Sequence, residues 1–270
     1  MFSDDQDQLR ADFSEIQKLL GGKGLSVNPG KTSLTNIRTQ EADTNVDDLK
    51  KKLLARRRKI VSSSLYDDEE EEEVEVALNL SQAEIDHVIE LLSQQHLEED
   101  DAELILTVMR NHTDDVAKYL PDIARRFPHL AKNVFHFCRE VNDKSAIGEM
   151  VLSLLTERRG TEEYQLFWFG MMLDEYLMNT PSAMGLIQAL LSHPNATPIT
   201  KAKVLEIADG RFGLNELRES YLRSGQSDWL AWASAVGARS MERAARNYRL
   251  SYFTSVSPMN RLVGEIVAAI

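Results

Sequence analysis

From Ser81 onward, apolar and polar positions alternate with the period of an α-helix. Ile85, Val88, Ile89 and Leu92 share one face. The preceding Ser81-Gln82-Ala83-Glu84 predicts a capping box, in which the serine oxygen accepts the Glu84 N–H and the glutamate reaches back. The same period predicts helices over 100–110, 113–126, 128–140, 143–158, 162–178, 181–192, 199–209, 212–223, 227–237 and 240–254. Most are short, with brief connections. Such a pattern suits an α-helical bundle or a HEAT-like α-solenoid, where neighbouring helices cover one another's apolar faces.

The front of the chain reads differently. Leu9, Phe13, Ile16 and Leu20 predict a helix over 6–20, and Gly21, Gly22 and Gly24 end it. Leu25–Val27 then reads as a short strand, Asn28-Pro29-Gly30 as a turn, and 31–37 as a second strand. The expected fold class is therefore mainly α, with a small α/β piece ahead of the helical part.

Charge divides the chain further. A basic helix is predicted over 47–60, carrying Lys50, Lys51, Lys52, Arg56, Arg57, Arg58 and Lys59. Asp47 and Asp48 lie at its start, as the helix dipole prefers. Eight acidic residues follow between Asp67 and Glu75, a self-repelling run that reads as a flexible linker. The expected parts are 1–60, an acidic linker over 61–78, and a helical domain over 79–270.

The 270 residues carry a net charge of −12. That argues against a general nucleic-acid coat but leaves room for a local basic groove. The single cysteine, Cys138, excludes an internal disulfide and reads as a buried, inert thiol. No apolar run reaches membrane-spanning length and no signal-peptide pattern opens the chain, so a cytoplasmic protein with no membrane partner is expected.

Three stretches invite a chemical reading. Phe2-Ser3-Asp4-Asp5 resembles the aromatic-x-Asp-Asp signature of polymerases, but polar and helical sequence follows it, so helix capping is the expected role of Asp4 and Asp5. Gly30-Lys31-Thr32 resembles the end of a phosphate loop, yet Leu25 stands where that loop needs glycine. The third is Gly24, Leu25, Asn28, Lys31 and Thr32 following an amphipathic helix. This resembles the lysine-bearing motif, GLxxNxxKT, just past the catalytic carboxylates of prokaryotic reverse transcriptases.

That resemblance covers residues 1–37. With Asp228–Gly237 and Asn247–Leu262, it points to the C-terminal portion of an abortive-infection or phage-defence enzyme of that family. It implies a palm-edge remnant, a thumb-like basic helix and a helical extension. Lys31 would lie near the incoming triphosphate, or otherwise be a solvated turn lysine. The family's catalytic aspartates are missing, so the chain alone is expected to hold no cofactor and to be inactive. A complete family enzyme would need Mg2+ and RNA or DNA, with the palm supplied by an upstream segment or a separate chain.

The remaining candidates are distributed. The six histidines give no i, i+4 pair with a third ligand, so no zinc site is expected. Trp168, Trp229 and Trp232 read as core residues. Arg239, Arg243 and Arg246 follow i, i+4, i+7, which predicts one helical face able to meet phosphates or nearby acids. The basic helix is the other expected nucleic-acid contact. The alternative to the polymerase reading is a non-enzymatic α-helical scaffold that binds protein or nucleic acid.

Overall fold

A computed structural model describes residues 12, 13, 15, 16, 19, 20, 53, 80–93, 97–157 and 161–270. All regular structure among them is helical. The expected class, mainly α with a small α/β remnant, is corrected accordingly: no strand occurs among the described residues. The segments read as strands, 25–27 and 31–37, lie outside those residues. The physical difficulty with that reading is that two short strands have marginal stability without a further strand or a helix to pack against.

Two compact units divide the chain, Met1–His112 and Thr113–Ile270. In the first, α1 spans Gln82–Ser93 and α2 spans Glu99–Val108. Glu84 does reach back to the Ser81 N–H, at 2.8 Å. The serine hydroxyl, however, donates to the same carboxylate at 2.9 Å, and the Glu84 N–H bonds the Ser81 carbonyl instead. Asp12, Phe13, Glu15, Ile16, Leu19 and Leu20 are helical where the helix over 6–20 was expected. Leu53, from the expected basic helix, is helical and buried, and lines a small cavity with Val88, Leu91, Leu104, Ile105 and Val108.

The second unit begins with α3 (Thr113–Val116), α4 (Leu120–Arg126), α5 (Ala131–Glu140) and α6 (Lys144–Thr156). Next come α7 (Glu163–Met172) and α8 (Ala183–Ser192), then α9 (Pro198–Leu205) and α10 (Leu214–Arg223). α11 (Trp229–Gly237), α12 (Arg243–Thr254) and α13 (Pro258–Ala269) complete it. Helices α5, α7, α9, α11 and α13 pack one on the next, so alternate helices make a continuous row. α6 packs on α8, and α10 on α12. The row encloses Phe137, Leu166, Phe169, Val204, Leu205, Ala231, Ala235 and Val267.

Local sequence explains where these helices start. Asp143, Asp228 and Ser257 accept N–H bonds from the third residue beyond them, satisfying groups that have no helical partner. Thr197 and Ser257 are each followed by proline at the first helical position, where the missing N–H costs nothing. α13 lies beyond the last helix expected from apolar periodicity, and this Ser-Pro start is its clearest sequence signal. The single helix expected over 162–178 is α up to Met172 and then widens into a π segment, Leu173–Leu177.

Candidate functional site

Lys31 and the basic cluster Lys50, Lys51, Lys52, Arg56, Arg57, Arg58 and Lys59 lie outside the described residues, as do Asp4, Asp5 and the acidic run. Among the described residues, no group of three His, Cys, Asp or Glu side chains is placed to hold a metal ion. No described helix is long and apolar enough to cross a membrane.

The C-terminal arginines do not share the face that their spacing implies. Arg239 sits in a 3-10 turn, Ala238–Ser240, and an extended Met241 separates it from α12. Its guanidinium donates to the Glu206 and Val236 carbonyls, each at 3.0 Å. Arg246 is buried, 6% exposed, and reaches the Arg239 and Ala268 carbonyls at 3.4 and 3.5 Å. Arg243 is exposed.

Two other cations are spent inside the fold. Arg218, on α10, is fully buried, and donates to the carbonyls of Leu205 (2.8 Å), Asp209 (2.7 Å) and Ile207. These belong to the end of α9 and the turn after it, where carbonyls have no helical partner. Burial pulls the Arg218 pKa down to about 10, which still leaves a cation at neutral pH. Lys203 bonds Asp174 in the π segment at 2.9 Å and Glu206 at 2.6 Å. Burial alone would lower its pKa, but these two carboxylates outweigh burial and raise it.

The surface chemistry lies on α10 and α12. Tyr248 and Tyr252, one turn apart on α12, are 57% and 45% exposed. Their rings meet edge to face at 5.4 Å, and the Tyr252 hydroxyl donates to that of Tyr248 at 2.9 Å. That bond holds the Tyr252 phenol above its usual pKa. Arg223 of α10 lies over the Tyr252 ring, 5.3 Å from its centre. Glu219 holds Arg223 at 2.7 Å and Arg249 at 3.0 Å. The result is a fixed aromatic and arginine surface. It was missed in the sequence because Glu219 and Arg223 lie on α10 while Tyr248, Arg249 and Tyr252 lie on α12, and the two sets meet only when these helices dock.

The tryptophans divide. Trp168 is half-buried amid Phe135, His136, Tyr164 and Phe167. Trp232 donates to Asn260 at 2.9 Å, which ties α11 to α13. Trp229 is 66% exposed, against the core role expected for it.

The second unit is thus an all-helical stack with an aromatic and arginine surface near its C-terminal end. Comparison with known proteins finds no matching family model, no matching curated protein and no matching solved structure. These findings lend no support to a reverse transcriptase or other nucleotidyltransferase, and a palm-derived fragment conflicts with a described structure made of helices alone.

Proposed function

We propose that the chain is a non-enzymatic helical scaffold that binds another protein through the surface formed by Arg223, Tyr248 and Tyr252. The carrying observation is the fixed geometry of these side chains at an exposed position. Tyrosine and arginine are the residues that most often anchor protein interfaces, because each offers large contact area with a polar tip. Ordering them in advance lowers the entropy lost on binding.

Composition supports the same reading. Every basic residue after Lys203 is arginine: Arg211, Arg218, Arg223, Arg239, Arg243, Arg246, Arg249 and Arg261. Interfaces favour arginine over lysine. A phosphate-binding groove is less favoured at this surface, since Glu219 occupies the forks of Arg223 and Arg249. The charge balance agrees: the second unit carries 18 basic and 18 acidic residues, whereas the first carries 13 and 25.

A photo-crosslinking residue at Tyr248, introduced into the full chain in its own cells, tests the proposal. The expected result is a discrete adduct with one protein, reduced at least tenfold by Tyr252→Ala together with Arg223→Ala. Nucleic acid in the adduct instead, with solution binding that falls steeply as salt rises, would reverse the assignment.

A further inference from the structure

The last helix is apolar on two opposite faces. One is used internally: Asn260, Gly264 and Val267 are buried, and Val263 and Ala268 pack against the core around Phe253 and Ala235. The other face meets solvent. Met259, Leu262, Ile266 and Ile270 are 48%, 55%, 56% and 74% exposed, and Ala269 is exposed beside them. Met259, Leu262, Ile266 and Ala269 follow the three-four-three spacing of a seam that one helix presents to another. A helix with one buried face normally carries polar residues on the opposite side. The outer face of α13 departs from that rule over its whole length.

Charges along the seam point to its occupant. Arg261 and Glu265 are one turn apart on the same edge, both exposed, and they form no ion pair with each other or with the rest of the described chain. We propose that a second copy of this chain packs along the seam in antiparallel orientation, about a two-fold axis near Gly264. Reversing a helix end for end sets the same edge of both copies face to face. Arg261 of each copy then meets Glu265 of the other, and Leu262 meets Ile266. The charged pair is offset by two residues, about 3 Å along the axis, which both side chains span. A parallel arrangement would place this edge against the Val263 side and leave both charges without partners. The antiparallel interface is self-complementary and closes on itself, as a two-fold dimer requires. It rests on α13 alone, independently of the tyrosine surface of α12.

Sedimentation equilibrium of the full chain over a range of concentrations tests this. The expected result is a reversible dimer, weakened at least tenfold by L262D/I266D with no change in helical content or melting. R261E should weaken it, and R261E/E265R should restore it to within twofold. An equimolar mixture of L262C and I266C chains should cross-link faster under oxidation than either chain alone, with the buried native Cys138 not taking part. A wild-type chain that stays monomeric, or a dimer indifferent to these substitutions, overturns the proposal. Faster cross-linking of L262C alone does so too, in favour of a parallel pair. A monomer whose adduct at Tyr248 persists removes the second copy and leaves the scaffold reading standing.

Discussion

Gly237 on α11 lies directly against Arg218 on α10. A Cβ built on this glycine would stand 2.5 Å from Arg218 Nε and would collide with the Leu205 carbonyl oxygen that Nε bonds. The absence of a side chain is what lets three helices meet around one buried cation.

Gly237→Ala should therefore destabilise the fold by about 3 kcal/mol, since neither a backbone carbonyl nor a fully bonded guanidinium can yield cheaply. Arg218→Met should cost about 3 kcal/mol, because it strands the carbonyls of Leu205, Ile207 and Asp209. The two sites touch, so the double variant should cost less than the sum of the singles. Urea unfolding of the four proteins measures this, and strict additivity would falsify the shared site.

Glu163 predicts an acid dependence. It accepts four hydrogen bonds, from the N–H and hydroxyl of Thr197 and the N–H and hydroxyl of Thr200, and so ties the start of α7 to the start of α9. Burial alone would raise its pKa, but these donors outweigh burial and lower it. A depressed carboxylate contributes stability that is complete above its unfolded pKa and lost as pH falls through the folded one. Glu163→Gln should cost about 2 kcal/mol at pH 7, and the difference from wild type should shrink below the ordinary carboxylate range. Melting curves from pH 7 to pH 3 check it; a constant gap across that range counts against the assignment.

The neighbouring arginines of α12 should behave oppositely. Arg246 is buried among carbonyls and apolar side chains, so Arg246→Ala should lose about 2 kcal/mol of stability. Arg243 is exposed, and Arg243→Ala should change stability by less than about 0.5 kcal/mol. Equal losses in thermal unfolding would contradict the placement of these residues.

Cys138 should resist modification. It is fully buried, and burial pushes its pKa up to about 12, so almost no thiolate forms at neutral pH. Reaction with a thiol reagent at pH 8 should be at least a hundredfold slower in the native chain than in urea. A native rate near the unfolded one would mean that this part of the core opens readily.

Much of the helical framework is legible in the residues themselves. Repeating apolar positions carry the signal for α1 and for most helices after it, since a stripe that must be buried recurs at helical spacing whatever it packs against. Asp143, Asp228 and Ser257 mark helix starts for an equally local reason: unpaired N–H groups need an acceptor in the same turn. Local signals also account for the missed α13, whose two apolar faces blur the usual one-sided stripe while its Ser257-Pro258 start stays readable.

What each side chain is used for depends on neighbours distant in sequence. Arg239, Arg243 and Arg246 look equivalent when spaced along an imagined single helix. The break at Met241 and the carbonyls presented by other helices turn two of them inward and leave one outside. Gly237 gives no hint of Arg218, and Tyr252 none of Arg223, because such pairs form only when separate helices dock. Local periodicity and capping thus determined where most helices lie. Only the packing of those helices decided which cations are sealed in, which aromatics remain on the surface, and that the outer face of α13 is left uncovered.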